Sequence, residues 1–196
     1  GAVPFCGGAA AGVARVNAGA LKAPPGLGIL ACLVLFGFGE LSGALQGGYH
    51  EEIRQYAITR AQAHPAVHQL TGVADIDQVI LERVADRSLA RVHTFHLHSH
   101  GLGLVTIILL TVLANTGFSP RTRIVLSLWV SLGLLYPFGW LTLAWTLPSL
   151  GETAAFQLAE RLFFIPFGGA YLLAVGALIV LYAADLLRRW QPPPPP

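Results

Sequence analysis

Four stretches of the chain carry no charged side chain: residues 23–39, 92–120, 124–151 and 162–184. A helix needs roughly 20 apolar residues to cross a bilayer, and the first stretch reaches that length only by taking in Glu40. The stretches are continuously apolar, without the short alternating pattern of outer-membrane strands, so helices rather than a barrel are expected. The expected fold is an all-α integral membrane protein with four transmembrane helices, at about 26–46, 97–117, 124–146 and 163–185. With 11% charged residues and a mean hydropathy of +0.61, the chain is too apolar for a soluble domain of its size.

Charge placement gives an orientation. Arg15 and Lys22 precede the first helix, Arg121 and Arg123 fill the turn SPRTR, and Arg188 and Arg189 follow the last. The positive-inside rule then places both termini and that turn in the cytoplasm, and residues 47–92 and the loop 147–161 outside. The setting read from this is a bacterial inner or intracytoplasmic membrane. A net charge of +2 suggests no nucleic-acid partner, and no phosphate loop or GxSxG elbow is present. Cys6 and Cys32 stand too far apart in setting to imply a bridge.

Three parts follow: a Gly/Ala-rich tail over 1–22, the four-helix domain over 23–187, and a polyproline tail over 188–196. Between helices 1 and 2, residues 49–92 read as an amphipathic helical segment outside the membrane. One of its helices ends near Pro65, and another begins at Asp75 and meets no Gly or Pro before Gly101, so it is expected to run straight into transmembrane helix 2. His64 and His68 then fall in a loop. Kinks are expected at Pro137 and Gly139 and again at Pro166, Gly168 and Gly169.

The chemistry concentrates in RVHTFHLHSHG, residues 91–101, where helix 2 enters the bilayer. At about 100° per residue, His93, His96 and His100 share one stripe that Glu82 and Asp86 extend outward, while His98 shares the other side with the ridge Arg83, Arg87 and Arg91. Imidazoles at i, i+3 and i+4 can converge on one ion. Partners from other helices are expected to complete a site: Glu40 and His50 as ligands, with Glu82, Asp86, Glu160 and Arg161 around them. Glu40 has a plainer reading as a packing residue or a partner for Arg161, and Gly39, Gly43 and Gly47 one as a small-residue row for close helix packing.

Nitrogen and carboxylate donors, with no methionine in the chain, suit copper(II), zinc or non-haem iron. Structural or proton-handling histidines are the second possibility, and a haem or chlorin held by His96 or His100 is the third. HTFH and HPAVH are similar in spacing to the histidine boxes of membrane di-iron hydroxylases, but those enzymes spread more histidines over several boxes than the seven present here. The cluster is also generally similar to metal sites of copper membrane monooxygenase subunits and haem sites of small membrane cytochromes, without a motif matched along the chain. The function expected is a metal-binding subunit of a larger redox or respiratory membrane complex. Its rivals are a cofactor-free accessory or assembly subunit, which contacts lipid and neighbouring subunits only, and a haem- or chlorin-binding electron-transfer subunit.

Overall fold

The computed structural model describes residues 21–189, which are helical almost throughout and contain no strand. The polyproline stretch, Cys6 and Arg15 lie outside the described residues. Helix α1 spans Gly26–Gly48, α2 His50–Gln62, α3 Pro65–His68, α4 Ala74–Ala114, α5 Pro120–Leu132, α6 Phe138–Ala159 and α7 Gly169–Arg189. A 3₁₀ turn, Gly133–Leu135, joins α5 to α6, and a wider π-type segment, Glu160–Gly168, joins α6 to α7.

Among the described residues, three helical runs are long and apolar enough to cross a membrane: Gly26–Gly48, Ala74–Ala114 and Pro120–Arg188. The sequence predicts a loop over 147–161 and two separate helices around it. Instead the chain stays helical there, and Gly151 alone, at φ 75° and ψ 167°, leaves helical geometry. The reason is that Glu152, Glu160 and Arg161 end the uncharged stretches, but the intervening Ala154, Ala155, Gln157, Leu158 and Ala159 are strong helix formers. The helix is broken at Gly151 and not at the charged residues.

The third run nevertheless doubles back at Gly151. Leu126 packs with Leu178, the space beside Gly133 is filled by Tyr171, that beside Gly168 by Tyr136, and that beside Gly139 by Phe164. As the first number of each pair rises the second falls, so the limbs on either side of Gly151 are antiparallel. The expected kinks coincide with real irregularities. Pro137 has no N–H to give, and the backbone tightens there through Tyr136 N–H to Gly133 O at 2.9 Å. Pro166 likewise sits within the π-type segment.

Helix α4 is the axis of the molecule. Its 41 residues extend about 60 Å, twice the thickness of a bilayer's hydrocarbon layer. Three buried clusters are strung along it: Leu81 and Val84 with Ala61, Leu143 and Ala155 at one end, Leu102 and Ile107 against Cys32, Leu35 and Leu134 in the middle, and Leu113 with Leu126 and Leu178 at the other end. The amide of Lys22 donates to Asn115 Oδ1 at 2.9 Å, and Asn115 Nδ2 donates back to Lys22 O at 3.1 Å, tying the start of α1 to the end of α4. Ser119 caps α5 by accepting from Thr122 N–H at 3.2 Å, with Pro120 opening the helix. Lys22, Arg121, Arg123 and Arg188 therefore share one end of the molecule.

At the opposite end, Pro65 opens a single helical turn rather than a loop, as a proline at a first helical position can. His64 Nδ1 lies 2.8 Å from Arg60 O, and His68 Nε2 lies 2.7 Å from the Pro148 carbonyl, three residues before the reversal at Gly151. Helix α4 then begins under a knot of hydrogen bonds to Asp77. Its Oδ1 accepts from Thr71 N–H at 2.7 Å and from Thr71 Oγ at 3.0 Å, and its Oδ2 accepts from Gly72 N–H at 2.9 Å.

Those donors favour the ionised carboxylate, the Thr71 amide foremost, and hold the Asp77 pKa below its ordinary value. A group depressed in the folded state stabilises above its unfolded pKa and loses that contribution as pH falls through the folded value. The protection of the Thr71 and Gly72 amides, taken relative to the intrinsic exchange rate at each pH, is therefore expected to be high at neutral pH and to fall on acidification below the usual carboxylate range. In Asp77→Asn that protection is expected to be low at every pH. Equal protection in wild type and variant at neutral pH would contradict this.

Candidate functional site at the α1–α4 interface

Helices α1 and α4 pack antiparallel, and where they touch, glycines on α1 face bulky side chains on α4. Gly28 is covered by Leu110, Gly39 by His100 and Ser99, and Gly43 by His96, while Phe36 of α1 covers Gly103 of α4. An added Cβ at Gly43 would lie 2.8 Å from the His96 ring, and one at Gly39 would lie 2.9 Å from both His100 Cε1 and Ser99 Cβ. The two imidazoles occupy the room that the two glycines leave. Gly47, the third member of the row, has nothing within 4 Å of where its Cβ would be and takes no part.

Hydrogen bonds then orient the rings. His96 Nδ1 is 2.8 Å from Gly39 O, which also accepts from Ser42 Oγ at 2.8 Å. His100 Nδ1 is 2.8 Å from His96 O, and His100 Nε2 is 2.9 Å from Glu40 Oε1. A carbonyl only accepts, so both Nδ1 atoms carry the hydrogen. Between His100 Nε2 and Glu40 there is then one further hydrogen, on either atom, in a charged or a neutral pair. His96 Nε2 keeps an unused lone pair. The His96 and His100 rings stand 4.5 Å apart, with Phe36 5.8 Å from His100.

His93 continues the stripe one turn outward. It is exposed, and its ring stacks on His96 at 6.3 Å. His50 is exposed at the first residue of α2 and shares no hydrogen bond or ring contact with the three. Glu82 and Asp86 face α2, where Arg54 holds both, Asp86 at 2.5 Å. Glu160 and Arg161 open the π-type segment, which packs through Phe164 on Tyr136 and Trp140 across α4 from the glycine seats. Glu40 is thus paired with His100 and not with Arg161.

The other side of α4 carries a second polar set. His98 stacks on Trp140 at 5.6 Å and lies 5.6 Å from Tyr136. The Arg91 guanidinium lies 5.5 Å over the Trp140 ring and 3.4 Å from Glu152, and Arg87 also pairs with Glu152. The acid stripe and the basic ridge of α4 are therefore each answered by a neighbour, Arg54 and Glu152. Among these contributors, Arg54, Ser42, the Gly39 carbonyl and Glu152 escape a reading of the sequence. One signal was present for the seats: glycines spaced by four on α1 and histidines spaced by four on α4 are matching periods.

Among the described residues, no three His, Cys, Asp or Glu side chains gather at metal-ligand spacing. His100 with Glu40 is the pair whose donors meet, and His96 stands beside it. Compared with known protein families, with characterised proteins and with solved structures, the chain matches none.

Proposed function

We propose that this chain is a metal-binding integral membrane subunit of a larger redox or respiratory complex. On this reading it crosses the bilayer four times, the third helical run contributing one crossing on each side of Gly151, with both termini cytoplasmic. The amphipathic outer part of α4 and α2 then lie beyond the outer boundary. The site sits where α4 enters the membrane. His96, His100 and Glu40 form its centre and His93 stands at the water boundary, with His50 as a candidate from α2 and Glu82 and Asp86 along the approach.

The observation that carries the reading is the orientation of the two imidazoles. Histidines that bind metals donate the other ring N–H to a carbonyl or carboxylate, which fixes the tautomer and presents the remaining nitrogen. His96 and His100 both hold Nδ1 on main-chain carbonyls, and His100 directs Nε2 at a carboxylate. An ion taking the place of the shared hydrogen would have one nitrogen and one oxygen donor at hand. With these donors, copper, zinc and non-haem iron are the candidate metals. An Nε2 presented in this way also suits an axial haem ligand.

A second reading is favoured by the glycine seats themselves: the histidines are interlocking packing groups of a cofactor-free assembly subunit. Elemental analysis for copper, iron and zinc on untagged protein from its native membranes separates the two. Stoichiometric metal is expected, and the double variant His96→Ala/His100→Ala should lose it while keeping its helix content. Iron would call next for a haem spectrum. Gently purified protein free of all three metals would sink the metal and haem readings together.

A further inference from the structure

Lys22, Arg121, Arg123 and Arg188 share one end of the molecule, and among the described residues the carboxylate at that end is Asp185 on α7. Residues 1–20 and 190–196, outside the described part, contain no Asp or Glu. The opposite half is balanced differently: there Arg54 is held by Glu82 and Asp86, and Arg87 and Arg91 by Glu152.

A cleft of about 310 Å³ opens between the approach to α1, the end of α4 and the start of α5. Lys22 and Arg123 line it together with Pro25, Ala114 and Ile124, and no carboxylate does. Lys22 precedes its helix, yet its backbone is fixed by the reciprocal hydrogen bonds with the Asn115 side chain, which itself donates to Thr111 O at 2.8 Å. Arg123 is half-buried, and its Nε is enclosed without a hydrogen-bond partner. A guanidinium nitrogen shut away from water in this manner calls for an acceptor.

Depth decides which acceptor. Gly26, Ala114 and Pro120 begin or end the three apolar runs, so the cleft lies where hydrocarbon gives way to headgroups. A bilayer holds its own phosphates at that level, and basic pockets between membrane helices take anionic headgroups there. The planar fork of an arginine matches phosphate oxygens. A zwitterionic headgroup would bring an ammonium toward the cations of this end, whereas an anionic one adds no such repulsion.

We propose that the cleft binds the phosphate of an anionic phospholipid. Arg123 and Lys22 take the phosphate oxygens, and Pro25, Ala114 and Ile124 border the lipid where its acyl chains begin. The proposal rests on the chain's place in a bilayer and not on the metal-binding reading.

The test is native mass spectrometry of the full chain released from nanodiscs of equal phosphatidylglycerol and phosphatidylcholine. One phosphatidylglycerol is expected to stay bound to each chain. In Lys22→Ser/Arg123→Gln the bound fraction should fall about tenfold or more. Ile124→Trp keeps both charges but obstructs the cleft, so it should lose the lipid too and serves if the double variant does not fold. Arg188→Gln, at the same end but outside the cleft, should retain the lipid. A loss in Arg188→Gln equal to that in the double variant would overturn the site in favour of general attraction to the charged end. Phosphatidylcholine held as firmly as phosphatidylglycerol would overturn the anionic headgroup. Inorganic phosphate that binds lipid-free protein and displaces phosphatidylglycerol would overturn the lipid as its source, and wild-type chains that retain no lipid would overturn the proposal as a whole.

Discussion

Gly39→Leu is expected to be the most damaging single substitution in α1, with Gly43→Leu next and Gly47→Leu close to neutral. The order follows from what each side chain would meet. At Gly39 a Cβ would come within 2.9 Å of Ser99 Cβ, an atom fixed to the α4 backbone, so the helices themselves must part. At Gly43 the obstacle is the His96 ring at 2.8 Å, the far end of a side chain that can rotate away. That rotation forfeits the hydrogen bond to Gly39 O, a loss of about 1 kcal/mol. Overpacking adds about 1–3 kcal/mol. At Gly39 the parting of α1 from α4 also separates Glu40 from His100, so the total is placed at the upper end of that range. At Gly47 nothing stands in the way, and a change within about 0.5 kcal/mol is expected. Thermal unfolding of the three variants in detergent gives the ranking directly. Equal losses at positions 39 and 47 would mean that the imidazoles are not seated on α1.

Much of this architecture can be read from the sequence, and what cannot has identifiable causes. The unbroken course of α4 from its charged first half into its apolar second half is legible because no Gly or Pro occurs between Asp75 and Gly101. The division of its histidines into a stripe and an opposed His98 follows from helical periodicity alone, and the rings do lie on opposite sides. The failures come from pairings between segments distant in sequence. Arg54 and Glu152 are ordinary surface charges until the fold sets them against Asp86 and Arg91. Gly39 and Gly43 read as a helix-packing row, yet nothing local says that the row is filled by histidines. The loop expected over 147–161 rested on the assumption that a break in apolarity is a break in the helix, and Gly151 shows that one residue suffices.

The second large effect is expected at that residue. A φ of 75° with a ψ of 167° lies in a region that is essentially reserved for glycine, and any side chain there costs of order 1–3 kcal/mol. A Cβ would also approach Val67 Cγ1 at 3.0 Å, on the short helix that His68 fastens to the Pro148 carbonyl. Gly151→Val therefore has no comfortable state. If it keeps the reversal it bears the strain and crowds Val67. If it relaxes toward a continuous helix, the 69 residues from Pro120 to Arg188 become a rod of about 100 Å, far longer than any bilayer crossing requires. Straightening would also lift Tyr171 and Phe164 from the spaces beside Gly133 and Gly139 and draw Glu152 away from Arg87 and Arg91, so the reversal is expected to persist at the cost of stability. A fall of about 2 kcal/mol or more in unfolding free energy is expected for Gly151→Val, with Gly151→Ala intermediate. Disulfide formation between Leu126→Cys and Leu178→Cys, neighbours across the hairpin, reports whether the limbs stay paired. A Gly151→Val protein of wild-type stability with full cross-linking would show that the reversal is held by the packing of its limbs and not by the freedom of this glycine.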